Sequence, residues 1–443
     1  MNPYLGSSNI KEKEMLNLLG LDNISELIQK AIPENLHTKN ELSLPESLSE
    51  LGLTDLVEKI ATRNFSRIDY LSFLGAGFYD HYIPAIVDYL ISLPGFLTAY
   101  TPYQPEASQG TLTALFEFQS LMARLTGMEI ASAALYDGAT ALAESALFAQ
   151  RISGNSKKKL LIAESVNPFY KKVLYTYLRY TDIQIVELEN KNGIISNNRL
   201  EKELDSETFA FVYQSPNFYG IIEDPIDFKN ILDDTLLIAV SNPTSLAVLK
   251  PPGEFGADIV VGESQSMGIH LNYGGPGLGY LATKKKYMRK LPGRIVGESI
   301  DNKGQRAFVL ILQTREQHIR RADATSNVCT NETLIAIANT IYLSLLGEIG
   351  LKEIANLSFQ KAHYLADKLN SIEGFQLLYD KPFFNEFALK VPMDNQKILE
   401  DMLKKRIIAG YPIGKDTLLL SVTEKTTKED MDYLAKCMKE VIR

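Results

Sequence analysis

Four segments of this 443-residue chain concentrate side chains able to bind or to react. The first, Tyr100-Thr-Pro-Tyr-Gln-Pro-Glu-Ala-Ser-Gln-Gly110, gathers tyrosine, glutamine, glutamate and serine where two prolines keep the chain out of a helix. Such a connection suits ligand contacts, and equally suits capping of the next helix by Ser108 or Thr111. The second, Tyr136-Asp-Gly-Ala-Thr-Ala-Leu142, is a small-residue turn leading into a helix. A helix N-terminus with Gly138 and Thr140 offers amide hydrogens and a hydroxyl to an anion such as phosphate, although plain capping by Asp137 or Thr140 is the reading the residues favour. The third, residues 258–280, runs from an apolar strand through a polar stretch to Gly274-Gly-Pro-Gly277. Those glycines permit positive φ and close backbone approach, as a turn beside a bound group needs; a core hairpin is the plainer alternative, and His270 alone reads as a satisfied interior or loop histidine before a catalyst. The fourth, residues 313–329, carries Arg315, His318, Arg320 and Arg321 with Glu316 and Asp323, which ordinarily means surface ion pairing. Thr325-Ser-Asn327 adds uncharged donors, and that mixture suits anion capture better than a solvated face. Its basic content is too local for a nucleic-acid surface.

These segments need a scaffold to position them. Apolar runs at residues 159–163, 183–188, 209–213, 236–240 and 259–261 are continuous rather than alternating, as in strands buried on both faces of a parallel sheet. Residues 171–179 and 224–232 read as crossover helices. The first sixty residues read as short helices. Asn23 caps one that Pro33 ends, and Thr54 caps another with Leu56, Val57 and Ile60 on its apolar face. Residues 111–126 form an amphipathic helix through Leu112, Leu115, Phe118, Met122 and Leu125, with Gly127 just past its end. After about Asn331 a long helical stretch passes through Ile335, Ile337, Ile341, Leu345 and Leu346. A strand at 386–391, a helix at 397–405, a strand at 418–422 and a helix at 429–441 follow. The expected organisation is a helical segment 1–65, a large α/β domain 66–330 and a small α+β domain 331–443.

Composition narrows the function classes. With 45% hydrophobic and 23% charged residues the chain is an ordinary globular protein. A net charge of -8 argues against a nucleic-acid partner. Two cysteines, Cys329 and Cys437, are too few for a disulfide scaffold and fit a reducing compartment. The N-terminus has no basic region followed by an apolar run, so no signal peptide is expected. The stretch 83–100, taken as the most apolar, is interrupted by Asp88 and Pro94-Gly95 and is too short to span a bilayer. The expectation is a soluble cytoplasmic protein with no membrane association and no bound metal.

Several stretches together resemble one family. Tyr100–Gly110 (YTPYQPEASQG), Pro251–Gly256 (PPGEFG), Gly274–Gly277 (GGPG), Leu291–Gly297 (LPGRIVG) and Gln313–Thr330 (QTREQHIRRADATSNVCT) look like signature stretches of the glycine cleavage system P-protein. The likeness covers nearly the whole chain and is to the N-terminal-half type, which many prokaryotes make as a separate alpha subunit. It implies a fold-type I, aspartate-aminotransferase-like pyridoxal-phosphate transferase fold with a large α/β and a small α+β domain. It implies a reaction in which glycine, joined to pyridoxal phosphate as an aldimine, loses carbon dioxide and passes its aminomethyl group to the lipoyl arm of H-protein. It also implies a cofactor-bearing companion subunit, in a heterotetramer of two chains of each kind.

A pyridoxal-phosphate enzyme needs a lysine to hold the cofactor as a Schiff base. Aligned on the glycine-rich turn, the companion's lysine falls at Gln265, and a carboxamide forms no imine. The aspartate expected beneath the ring nitrogen falls near Asn242, and the ring-stacking residue near Phe169. The resemblance therefore implies that the companion chain holds the cofactor covalently and that this chain completes a shared pocket. Thr325, Ser326 and Asn327 are expected at the partner's cofactor phosphate. Tyr100, Tyr103 and Gln104 are expected to line the pocket, and Arg315, His318 and Arg320 to meet substrate, partner chain or H-protein. Two alternatives stay open at this point. Lys250 is the candidate anchor of a self-sufficient enzyme, and a non-catalytic regulatory partner of another pyridoxal-phosphate enzyme would carry the same loops.

Overall fold

The computed structural model describes residues 9–37, 42–66, 68–272 and 274–442. The N-terminal residues 1–8, on which the signal-peptide expectation partly falls, and Tyr273 of the glycine-rich run lie outside the described residues. Two compact units are present, Met1–Phe65 and Ser66–Arg443.

The first unit contains helices Asn9–Leu18, Ile24–Ala31 and Glu50–Ala61. Asn23 caps the second, accepting the Glu26 amide at 2.9 Å. The third corrects the expectation for Thr54. Ser49 caps it instead, accepting the Gly52 amide at 3.2 Å, and Thr54 sits inside with its hydroxyl donating to the Glu50 carbonyl at 2.9 Å.

In the second unit a sheet of seven strands forms the centre. In chain order these are β1 (Ile130–Ala131), β2 (Lys159–Ala163), β3 (Gln184–Leu188), β4 (Thr208–Gln214), β5 (Leu236–Val240), β6 (Ile259–Glu263) and β7 (Gly279–Thr283). Their spatial order is β1-β7-β6-β5-β4-β2-β3. Strands β3, β2, β4, β5 and β6 run parallel, while β7 and β1 join antiparallel. The continuous apolar runs are explained by burial: every residue of β5, β6 and β7 is buried. The edge strand β3 is the exception, with Gln184 and Glu187 exposed.

Three helices position the site. Helix α1 (Gln109–Thr126) ends at Gly127 in the left-handed conformation, φ 69°. Helix α2 (Gly138–Ile152) starts from a capping box between Asp137 and Thr140, the capping reading of that turn. Helix α3 (Pro168–Leu178) is the crossover expected near 171–179. The other expected crossover is shorter, Phe228–Leu232. Asp224 accepts the Ile226 amide at 3.1 Å in a local turn that delays the helix.

A hairpin of Ile295–Ile300 with Arg306–Ile311, not foreseen from sequence, lies along α1. Two carboxamides dock it: Gln119 bridges the backbone of Val296, and Gln109 that of Phe308, at 2.8–3.0 Å. Helix α4 (Thr333–Asn370) packs on α1 and bends at Gly347, which has φ 58° and ψ -169°. By length and a mean hydropathy of 1.7 it is long and apolar enough to cross a membrane, a stretch the sequence reading passed over. Its Ile335, Ala336, Ala338 and Tyr342 are buried in the main core.

Downstream, a four-stranded antiparallel sheet (Gln376–Leu377, Glu386–Lys390, Thr417–Ser421, Tyr411–Pro412) packs with Asn395–Lys404 and Lys428–Val441 around Phe387, Leu389, Leu418, Leu420 and Leu434. Strand Leu71–Ser72 pairs in parallel with Ile407–Ile408, so the segment after it is held against this region.

Candidate functional site

Gln214, Val240 and Glu263 end β4, β5 and β6 side by side. At this carboxyl edge, where open α/β sheets place ligands, lies a small cavity of about 30 Å³. Asn167, Tyr170, Asn242, Gln265 and the carboxylates of Glu263 and Glu386 are among its walls. Asn242 and Gln265, the two positions singled out by the resemblance, therefore face one cavity. The Gln265 carboxamide turns into its own loop. Its Nε2 donates to the His270 carbonyl at 3.1 Å and to the Ile269 carbonyl, while its buried Oε1 has no partner. Asn242 accepts the Thr244 amide at 3.0 Å, so its carboxamide also serves the backbone. Phe169 is corrected. It is 39% exposed, packs edge-on against Tyr411 at 5.8 Å, and is not among the described lining residues; the neighbouring Tyr170 is.

Glu263 sets the character of this cavity. Its Oε2 accepts the Gly138 amide at 2.9 Å, at the first turn of α2. Its Oε1 accepts the amides of Leu278 at 2.7 Å and Gln265 at 2.8 Å. Burial pushes the carboxyl up to about 7; the three amides pull it down, and nearby Asp137 adds to the rise. Glycine is required beside it: a Cβ on Gly138 would meet the Tyr170 hydroxyl at 2.3 Å. Gly277 of the glycine-rich turn likewise lies against Asp137 and Glu263. That turn closes on the chain's own carboxylates. On the far side Glu386 accepts the Ala76 amide at 2.6 Å and the Tyr79 hydroxyl at 2.9 Å, and burial pushes it up to about 7.

A pyridoxal phosphate does not fit this cavity. The room inside it is about 30 Å³, against roughly 300 Å³ or more for a small-molecule site. Among the described lining residues none is Lys, Arg or His, and two are acidic. Lys250 is elsewhere: its Nζ stands over the Phe255 ring at 4.6 Å, near Glu254 at 3.9 Å, half exposed. Among the described residues no group of three or more His, Cys, Asp or Glu side chains is arranged to hold a metal.

None of the remaining candidates is among the described lining residues of that cavity. Arg294 and Glu316, both buried, lie 3.6 Å apart. Arg294 also donates to the Tyr103 hydroxyl at 3.0 Å, and the His318 ring packs edge-on against Tyr103 at 5.5 Å. Arg315 is buried too, donating to the Gly293 carbonyl at 2.7 Å. Burial lowers its guanidinium to about 10, with Glu316 opposing and Arg151 adding to the fall. Thr325 follows it closely: its amide and hydroxyl donate to the Arg315 carbonyl at 3.0 and 3.3 Å. Thr325, Ser326 and Asn327 border a cavity of about 380 Å³ with Glu144, Arg151 and Tyr177. Tyr103, Arg315 and His318 are thus brought together. Tyr100 is bonded to Thr330 at 2.9 Å, Gln104 is exposed, and exposed Arg320 donates to the Thr314 carbonyl at 3.3 Å.

Sequence reasoning missed Glu263, Arg294, Glu144 and Arg151. A glutamate ending a wholly apolar strand was the available signal for Glu263, because an unpaired buried carboxylate is rare. Arg294 lies in the LPGRIVG stretch, but its role comes from its distant partners Tyr103 and Glu316.

Comparison with known proteins gives a consistent picture. The family model described as glycine cleavage system P-protein matches residues 2–438. A protein of Oceanobacillus iheyensis named probable glycine dehydrogenase (decarboxylating) subunit 1 is 45% identical over 98% of this chain and 98% of its own length. A crystal structure of glycine decarboxylase (P-protein) of the glycine cleavage system in inhibitor-bound form superposes with a TM-score of 0.93 at 40% identity, covering 99% of each chain. A glutamate decarboxylase of Lactobacillus brevis, 13% identical with a TM-score of 0.69 over 93% of this chain and 96% of that one, shares the fold. These likenesses bear out the fold-type I expectation.

Proposed function

Because the chain belongs to the glycine cleavage system P-protein family, we propose that it works as the subunit that lends loops, not the cofactor anchor, to a shared active site. The observation that carries this reading is Gln265. It stands at the anchor position with its carboxamide tied to the 269–270 backbone, in a cavity with no described lysine in its walls. In this reading a companion chain, in a heterotetramer of two and two, holds the pyridoxal phosphate covalently. The cofactor supplies the electron sink for decarboxylation of glycine, and the aminomethyl group passes to the lipoyl arm of H-protein.

This chain's part is positional. Thr325 is held on the Arg315 carbonyl, and with Ser326 and Asn327 it edges an open cavity, which suits donors that meet an anion of the companion's site. Tyr103, His318 and the buried Arg315 stiffen the same corner, with Tyr100, Gln104 and Arg320 on its accessible side. The cytoplasm is the proposed compartment, in keeping with the exposed free thiol of Cys329.

The test is co-expression with the companion chain followed by a glycine–carbon dioxide exchange assay in which each chain is omitted in turn. Exchange that needs both chains, with a borohydride-reducible adduct on the companion alone, supports the reading. A reducible lysine adduct on this chain by itself overturns it in favour of a self-sufficient enzyme.

A further inference from the structure

We propose that Glu263 is a built-in anion that occupies this chain's own phosphate seat, so that the cavity rejects phosphate compounds even without any covalent anchor. The inference deepens the reading above and rests on it for the identity of the seat, since Gln265 and Asn242 mark that cavity as the counterpart of the companion's cofactor pocket.

The geometry is that of a bound anion. Three backbone amides, from Gly138, Gln265 and Leu278, converge on one carboxylate at 2.7–2.9 Å. One of them opens a fifteen-residue helix, whose N-terminus carries partial positive charge. A phosphate oxygen would use the same donors. The carboxylate is supplied by the chain itself, two residues before Gln265. Buried polar atoms in the same cavity, Gln265 Oε1 and Ser241 Oγ, have no partner in the protein, so its walls are polar and not merely packed. Exclusion follows from the missing counter-charge, since a phosphate dianion would meet the Glu263 and Glu386 side chains with no lysine, arginine or histidine among the described walls. It also follows from space, because the seat is filled.

Removing the side chain while keeping the amides should therefore make a binding site. In Glu263→Gly the three donors are freed and one negative charge is lost. The full-length chain is purified as wild type, Glu263→Gly and Glu263→Gln, the last keeping the volume without the charge. Each is titrated with inorganic phosphate and with pyridoxal phosphate by calorimetry, and thermal unfolding is followed with phosphate against chloride at matched ionic strength. Expected are no saturable binding by wild type or Glu263→Gln, and saturable phosphate binding by Glu263→Gly at least roughly tenfold tighter than the weakest affinity the titration detects, the effect of freed, buried donors. Phosphate, but not chloride, should also raise the melting temperature of Glu263→Gly. Where the glycine variant does not fold, Glu263→Ser takes its place in the same two measurements.

Saturable phosphate binding by wild type overturns the proposal. A folded Glu263→Gly or Glu263→Ser that gains neither affinity nor phosphate-specific stabilisation also overturns it, leaving Glu263 as a loop fastener only. Neither measurement involves the companion chain. A failed exchange assay therefore counts against the proposed function alone, and a failed phosphate titration against this inference alone.

Discussion

Arg294 lies over the ring of Tyr103, its guanidinium carbon 5.3 Å from the ring centre, and donates to the same residue's hydroxyl at 3.0 Å. The pair joins the YTPYQP loop to the hairpin along α1, and Glu316 lies 3.6 Å from the same guanidinium. Arg294→Ala would leave the buried Glu316 carboxylate without its main cation, so destabilisation of about 3 kcal/mol or more is expected. Tyr103→Phe keeps the ring and loses one hydrogen bond, about 1 kcal/mol. Urea unfolding of the two variants checks both, and equal losses would show that the ion pair contributes little.

Alanine at Thr325 and Ser326 should leave the isolated chain nearly as stable as wild type, because the Thr325 hydroxyl makes only a long bond of 3.3 Å to the Arg315 carbonyl. In the assembled complex the same variant should lose cofactor faster on dialysis, followed by cofactor absorbance. Unchanged retention together with unchanged turnover would remove these residues from the shared site.

Lys250→Ala should leave glycine–carbon dioxide exchange of the complex unchanged, since the amine lies over Phe255 and beside Glu254, outside the Gln265 cavity. Stability should move by no more than about 0.5 kcal/mol, as for an exposed pair. Abolished exchange in a folded variant would revive the self-sufficient reading.

The pH dependence of stability should carry the mark of Glu386. Burial raises its folded value to about 7, above the 4.5 of an unperturbed glutamate. A raised value means that the folded state holds the proton more tightly. This contribution is full below about pH 4.5 and is lost as pH rises through about 7. Between pH 5 and 8 the loss is on the order of 3 kcal/mol for one such group. Glu386→Gln should flatten that part of the urea midpoint profile. A profile with the wild-type slope would show that the carboxyl is ionised throughout.

Much of this architecture was legible in the chain. The parallel strands were visible because burial on both faces leaves no polar alternation, as in Leu236–Val240. Gly127 after α1 and Asn23 before Ile24 announced helix ends because capping is a local affair. Thr54 misled because Ser49, five residues earlier, already takes that role. The hairpin 295–311 escaped notice because its partners are carboxamides on α1, Gln109 and Gln119, far back in the chain. The candidate site divides in the same way. Gln265 was found through a motif beside it, whereas the end of an apolar strand marks Glu263 only as unusual, and its role depends on the distant amides of Gly138 and Leu278. No pattern within a few residues of Glu263 reports those contacts.

Gln265 and Glu263 stand two residues apart and close the same cavity in different ways. If the carboxylate holds the seat as inferred, a lone Gln265→Lys exchange would regain an amine with nowhere to put a phosphate. A lone loss of Glu263 would open a seat with nothing to form the imine. A cofactor site of the chain's own would therefore need both changes at once, since neither alone brings a seat and an amine together.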